Sequence, residues 1–371
     1  MLIMKKLLLG TTGLVVAAMF ANASLAQTPK VTVGGFSDFQ AGVVNDDFDN
    51  GQREHGFRND TQVSLRVDGR SDAGLDYGAV IDLEADVTPD ANAEGFNAAR
   101  TYMYLGGNWG RFELGSKEGA SESLRVDASS INVGTGGIDG AWVFFANPTG
   151  GAFITTPGLP TAHGSTLALN DESLYNANKI TYYTPAYSGF QFGITYQPDM
   201  TDRGQLVSRG DNNVGQAGRI VDAGLSYDNT FGDVSLAAAA TVQYGDSEAN
   251  NTKDLFAYNV GANLGYQGFS LAGSYGDWGT SLGTASTDGQ YWTGGLGYQM
   301  NKFGAAFTYL GSSLDVAGAN NDFQNFVVGT DYKLAPGLTP YAEVSFYEFS
   351  APGVTRDNEG TVFILGTQVA F

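Results

Sequence analysis

The feature that most constrains this chain is a period of two in its hydrophobic pattern, repeated from one end to the other. Residues 75–86 read LDYGAVIDLEAD. Leu75, Tyr77, Ala79, Ile81, Leu83 and Ala85 fall on one side of an extended backbone. Asp76, Gly78, Val80, Asp82, Glu84 and Asp86 fall on the other. Successive side chains of a β-strand point to opposite faces, so this segment has one apolar and one acidic face. The same alternation runs through residues 62–68, through Phe190, Phe192, Ile194 and Tyr196, through Val260, Ala262, Leu264 and Tyr266, and through Phe363 to the terminal Phe371. Strands are expected near 31–44, 59–69, 74–86, 98–106, 111–117, 178–184, 190–197, 219–228, 233–245, 255–266, 269–276, 290–299, 303–311, 322–333, 339–350 and 358–371. That makes sixteen, and the class is all-β.

The N-terminus decides where such strands must work. Lys5 and Lys6 precede an apolar run from Leu7 to Phe20, and Ser24-Leu25-Ala26 is a small-residue site before Gln27. This is the pattern of a signal peptide over residues 1–26. A membrane-spanning or buried helix is the competing reading, but the run is short, terminal and followed at once by polar residues. The remaining 27–371 contain no apolar run of the length a helical span needs. The exported chain is therefore periplasmic, secreted or an outer-membrane barrel. No linker or change of composition divides it, so 27–371 is expected as one domain.

The connections sort into two sets. Short turns fall at 106–110, 185–189, 229–232 and 335–337, and longer polar stretches at 45–58, 198–218, 246–254 and 277–289. Short turns on one rim and long loops on the other is the layout of a transmembrane antiparallel β-barrel. Lipid offers the backbone no hydrogen bonds, and a sheet satisfies all of its own only by closing on itself. A soluble β-sandwich or β-helix also alternates, but its loops need not sort this way. The longest connection, 118–177, follows the fifth strand. A segment of that length without strands needs a reason to exist. It is expected to fold into the barrel as a pore-constricting loop; an extracellular flap, or a hairpin around 141–145, are the alternatives.

Composition narrows the function. The chain has no cysteine and only two histidines, His55 and His163, which leaves little room for thiol, triad or His-rich metal chemistry. Paired carboxylates such as Asp46 and Asp47, or Asp82 and Glu84, have no adjacent nucleophile or histidine, so a hydrolase is not expected. Without Lys5 and Lys6 the chain carries 17 basic groups against 39 acidic ones, a net charge of −22. That surface repels nucleic acid and suits a wet acidic lumen or bound cations. No cofactor is expected. Ca²⁺ on the acidic clusters is the one metal the composition suits, although no EF-hand spacing is present. Trp109, Tyr183, Tyr187, Tyr266 and Tyr298 stand at strand ends, where an interfacial aromatic girdle would lie.

Two stretches carry a family resemblance. Residues 100–115, RTYMYLGGNWGRFELG, and residues 178–190, with NKITYYTP followed by Ser188-Gly189-Phe190, resemble consecutive hairpins of Gram-negative general diffusion porins. The version here is most similar to the alphaproteobacterial trimeric porins. The closing alternating strand with terminal Phe371 is similar to the signal read by the outer-membrane assembly machinery. The resemblance implies a homotrimer in the outer membrane, in contact with lipid and lipopolysaccharide, with one water-filled pore per subunit for ions and small hydrophilic solutes. It also implies basic groups on the barrel wall facing acidic groups on the constriction loop. Two other functions stay open: a substrate-specific channel for sugar or phosphate, and a non-transport structural barrel.

Strand parity supplies the residues. Arg100, Tyr102 and Tyr104 share one face, whereas Thr101, Met103 and Leu105 share the other, which is expected to face lipid. Arg111, Glu113 and Lys117 share the polar face of the next strand. Arg66 lies on the polar face of the second strand, with Arg58 near its start, and Lys179 shares a face with Thr181 and Tyr183. On the loop, the carboxylates expected to face them are Glu118, Glu122, Asp127 and Asp139, with Arg125 also in reach of the pore. The bland reading is that these charges only keep the lumen wet.

Overall fold

The computed structural model describes residues 27–47, 51, 53–85, 97–146, 153–161, 176–200, 202–205, 207, 216–283, 287–316, 318–351 and 357–371. The expected leader 1–26, residues 148–151 and His163 lie outside them. Sixteen strands occur in chain order: β1 (Gln27–Asp46), β2 (His55–Arg70), β3 (Asp76–Glu84), β4 (Asn97–Gly107), β5 (Gly110–Ser116), β6 (Asn178–Tyr183), β7 (Phe190–Asp199) and β8 (Ala217–Phe231). They continue with β9 (Val234–Ser247), β10 (Leu255–Tyr266), β11 (Phe269–Gly279), β12 (Asp288–Met300), β13 (Phe303–Val316), β14 (Ala319–Tyr332), β15 (Leu338–Ser350) and β16 (Asn358–Ala370). Each strand pairs with its sequence neighbours, and β1 pairs antiparallel with β16 from Phe36 opposite Ala370 to Asp46 opposite Gly360. The sheet is a closed barrel with no free edge, as the lipid argument demands.

Every expected strand is present, and most run past their expected ends. The alternation of polarity fades where strands leave the apolar belt, but the hydrogen-bond ladder continues. One connection differs in kind. β13 and β14 extend toward each other until Val316 pairs with Ala319, in place of a long connection. At the opposite rim the chain closes on itself, with the Gly35 and Phe371 backbones exchanging two hydrogen bonds of 3.0 Å.

The outer face follows the parity. Met103, Leu105, Phe112, Phe190, Ile194, Leu264, Leu296, Phe346 and Leu365 all stand exposed around the barrel, where lipid would cover them. Trp109, Tyr187 and Tyr266 are exposed at the short-turn rim, and Tyr298 packs tilted against Phe269 there, with ring centroids 4.4 Å apart. Tyr183 is the exception among the expected girdle residues. It is buried on the inner face, packed with Ala120 and Leu124 of the long loop.

The inner face departs from simple alternation on one side of the barrel. Ile220, Leu255, Tyr291, Leu310, Phe323, Phe349, Val362 and Ile364 point inward, yet are apolar and almost fully buried. Their cover is the 117–177 connection. It leaves β5 inward, and its backbone docks on β7 and β8 through Ala120 N to Thr195 Oγ1 (2.8 Å) and Ser121 N to Asp222 Oδ1 (2.9 Å). It continues past β10 and β12, with Asn263 donating to Ser130 Oγ (2.7 Å) and Ala128 N donating to Thr293 Oγ1 (3.2 Å). At β15, Thr135 Oγ1 donates to Glu343 Oε1 (2.8 Å). A return run crosses β13, β11 and β9, where Ser312 donates to the Ile154 carbonyl, Trp278 Nε1 to the Gly158 carbonyl and Thr161 N to Gln243 Oε1. The loop thus lines β7–β16 and meets the inner face of β1–β4 at points, through Phe145 at Gly42, Phe144 at Arg58 and Glu118 at Arg100.

Hydrogen bonds do not hold this circuit by themselves. Each nets about 0.5–1.5 kcal/mol, against about 1–2 kcal/mol to fix one residue's backbone. The difference comes from a hydrophobic core inside the barrel. Trp142 is fully buried and stacks on Phe323 (5.8 Å) and Tyr347 (6.0 Å), and Phe153 packs on Phe349 (4.9 Å). Truncating a side chain of this kind costs about 3–5 kcal/mol. The segment around 141–145 is neither a flap nor a hairpin but a 3₁₀ turn, Ala141–Phe144, at the far end of the loop.

Inward glycines give the loop its seat. A Cβ at Gly261 would lie 1.8 Å from the Val126 carbonyl oxygen, one at Gly297 would lie 2.4 Å from Ile131, and one at Gly42 would lie 2.3 Å from the Phe145 ring. The first is a backbone contact that no rotamer change relieves. Gly261→Ala should therefore displace the loop toward the lumen and change ion conductance through the barrel, with the β-sheet circular dichroism unaltered. Gly294→Ala, which would meet nothing within 4 Å, is the control and should change neither. Wild-type conductance in Gly261→Ala would contradict this account of how the loop is seated.

Candidate functional site

Between the loop and the β1–β4 wall lies a cavity of about 1360 Å³. Its wall side is formed by Asp38 and Gln40 of β1, Arg58, Asp60 and Gln62 of β2, Glu84 of β3 and Arg100 of β4. Opposite stand Glu118, Glu122, Arg125, Asp139 and Phe144 of the loop. Toward the short-turn rim the lining includes Asp233, Lys302, Asp331 and Lys333. Eight carboxylates thus line the cavity against five basic groups.

Arg100 lies where wall and loop meet. Its Nε is 3.2 Å from Glu118 Oε2, and its Nη1 is 3.9 Å from Asp82 Oδ2 on β3. The Glu118 contact is an ion pair rather than an aligned hydrogen bond. Burial would raise the Glu118 carboxyl, but Arg100 and Lys117 outweigh it and hold the group down at about 2. Arg58, in turn, donates to Asp60 Oδ2 (2.9 Å) and to Gln40 Oε1 (3.3 Å), and its guanidinium lies 3.7 Å over the Phe144 ring.

On the loop, Arg125 gathers the acidic candidates. It donates to Glu122 (3.0 Å), to Asp127 (2.7 Å) and to the Pro157 carbonyl, so one guanidinium ties the outbound run to the return run. Asp127 is turned away from the cavity. It caps the 3₁₀ turn Ala128–Ser130 by accepting from Ser129 N (2.7 Å). Burial lifts the Glu122 carboxyl to about 7 against the pull of Arg125, and Asp139 and Asp127 push the same way as burial.

The remaining candidates are brought together elsewhere, as a ladder on the inner face of β2–β6. Arg66 donates to Asp68 (2.9 Å), which also accepts from the Tyr104 hydroxyl. Arg111 stacks on Tyr104 at 3.8 Å and donates to Glu113 (2.6 Å). Glu113 in turn binds Lys117, whose ammonium is buried between the rings of Tyr102 (5.1 Å) and Tyr183 (5.6 Å). Lys179 is buried on β6, opposite Gly115 in register. These side chains face inward as their parity requires, but they do not line the cavity. Lys117 and Glu113 brace the root of the loop. Among the described residues no group of three carboxylate or imidazole side chains converges as a metal site.

Sequence reasoning passed over Asp38, Gln40, Asp60 and Phe144. Asp60 shares its parity with Gln62 and Arg66, and that signal was available. Asp38 and Gln40 sit in a stretch of β1 whose alternation is weak, and Phe144 belongs to a loop with no period at all.

A family model described as Gram-negative porin matches residues 12–352. An uncharacterized protein of Rickettsia typhi is 26% identical over 99% of this chain and 100% of its own length. An outer membrane porin protein of Bordetella pertussis is 26% identical over 90% of this chain and 87% of its own. Among solved structures, an anion-selective porin from Comamonas acidovorans shares the fold with a TM-score of 0.65 at 20% identity, covering 93% of this chain and 100% of that one. An engineered variant of the Rh. blastica porin does so with a TM-score of 0.60 at 18% identity, covering 92% and 100%. A closed barrel of sixteen strands, a long loop packed inside it, a charged cavity beside that loop and a family match over most of the sequence lead to one conclusion: the chain belongs to the Gram-negative porins, channel proteins of the outer membrane rather than enzymes.

Proposed function

We propose that this porin is a general diffusion channel with a preference for cations, in which Arg58 and Arg100 on the wall face Glu118, Glu122 and Asp139 on the loop across the narrowest part of the pore. The observation that carries the reading is the cavity between loop and wall. At about 1360 Å³ it exceeds the roughly 300–1000 Å³ of a typical small-molecule pocket, and charged side chains stand on both its wall and its loop side. A passage of that kind selects by size and charge. Arg66, Tyr102, Tyr104, Arg111, Glu113, Lys117 and Lys179 belong to the supporting wall in this reading, and Asp127 and Arg125 to the frame of the loop. The Comamonas neighbour is described as anion-selective; here the excess of carboxylates over basic groups favours the opposite sign.

The same reading makes the protein a homotrimer in contact with lipopolysaccharide, exported with cleavage after Ala26. Small outward residues such as Ala238 and Ala240 leave room for a neighbouring barrel to pack. Native mass spectrometry in mild detergent should give three copies of a 345-residue chain; a monomer, or a retained leader, would contradict the corresponding part.

Reversal potentials in a KCl gradient across a planar bilayer test the selectivity. The expected sign is cation preference. Arg100→Ala removes a cavity cation and should strengthen that preference without reducing trimer yield, whereas unchanged conductance and reversal potential would place Arg100 outside the constriction. A carboxyl near pKa 7 is neutral at pH 5 and charged at pH 8, so cation preference should grow over that interval. Glu122→Gln should flatten the change; an equally steep profile in the variant would assign it to other groups.

A further inference from the structure

Phe144 stands apart from the core that its neighbours build. Its neighbours Trp142 and Val143 are buried in the core inside the barrel, but Phe144 itself is 46% exposed and lines the cavity. A half-exposed aromatic ring in an aqueous passage presents an apolar surface to whatever passes. The Arg58 guanidinium lies 3.7 Å from the ring centroid on one side. That guanidinium is fixed from behind by Gln40 Oε1 (3.3 Å) and Asp60 Oδ2 (2.9 Å), and Gln40 donates in turn to Asp38 Oδ2 (3.2 Å). The result is a ring with one face under a paired guanidinium and the remainder of its surface open to the cavity.

We propose that Phe144, with Arg58, Asp60 and Gln40, forms a subsite for the pyranose ring of a neutral sugar. The inference rests on the diffusion-channel reading and refines it with a solute class. One face of a pyranose carries only C–H groups. These are weakly positive and apolar, and they match the negative face of an aromatic ring. The hydroxyls around the pyranose edge are both donors and acceptors. They can share the Arg58–Asp60 pair, where charge-assisted hydrogen bonds are stronger than neutral ones. A neutral solute also leaves the ion pairs around it undisturbed, whereas a charged one competes with them. A single ring binds weakly, and a conducting site must release what it binds. Half-saturation is therefore expected in the millimolar range.

The test uses the purified full-length channel in a planar bilayer, with ion current recorded as maltose or sorbitol is added at matched viscosity. Sorbitol has comparable hydroxyls but no ring face. Maltose should lower the current along a saturating curve, and sorbitol only in proportion to bulk conductivity. Phe144→Ala should raise the half-saturation concentration at least about tenfold, the loss expected when a stacking contact and its burial are removed. Phe144→Tyr should keep it. The β-sheet circular dichroism and the trimer yield, compared among the three proteins, check that the variants fold as the wild type does. Equal responses to maltose and sorbitol in the wild type would overturn the proposal even if Phe144→Ala failed to insert, as would wild-type saturation in Phe144→Ala. Absence of any conductance would instead overturn the diffusion-channel reading beneath it.

Discussion

The burial of Trp142 and its neighbours against the inner face of β8–β16 is the interaction on which the rest of the structure depends. A barrel of sixteen strands is too wide for its own side chains to fill. Without the loop, Phe323, Phe349, Leu310, Ile220 and Leu255 would stand as bare apolar groups in water. With it, they become the core of a second layer inside the first. The loop position follows from this burial, the shape of the cavity from the loop position, and the pairing of charges across the cavity from that shape.

Electrostatics then acts on a frame already set. Lys117 and Glu113 are both buried, and a buried charge left without its partner is far more costly than the pair. The pair therefore fixes the point where the loop leaves β5 more than it adds to net stability. Arg125 does the same between the two runs of the loop, because its guanidinium offers donors in several directions at once to Glu122, Asp127 and the Pro157 carbonyl. The groups that remain in the cavity, Arg58 and Arg100 among them, are held by carboxylates on one side and present charge to the lumen on the other.

The barrel was legible in the sequence because its two determinants are local: side-chain parity, and the sorting of connections by length. Parity correctly set Met103 and Leu105 outward and Arg100, Tyr102 and Tyr104 inward. It could not give height along the barrel, so it did not separate Arg100, which lines the cavity, from Arg66 and Arg111, which belong to the wall ladder. Nor could it anticipate that Ile220 and Phe323 would be apolar yet inward, since their partners lie in a segment far away in sequence. Tyr183 shows the same limit: a tyrosine at a strand end suits either a lipid interface or the underside of the loop, and only the docking of Ala120 and Leu124 decides between them. The glycines were legible as abundant but not as a seat, because the need for Gly261 arises from the Val126 carbonyl more than a hundred residues before it.

If the loop is fixed to the inner wall in the conducting state, a cross-link between the two should leave the channel unchanged. The chain has no cysteine to interfere. A Cβ at position 295 on β12 would lie 3.2 Å from the Ala128 Cβ on the loop, close to the separation of about 3.5–4.5 Å found in disulfides. The measurement is single-channel conductance of the Ala128→Cys, Gly295→Cys double variant before and after reduction. The disulfide should form in the membrane-inserted protein, and conductance should be the same oxidised and reduced. Failure to cross-link, or a conductance that jumps on reduction, would show instead that the loop leaves the wall in the open channel.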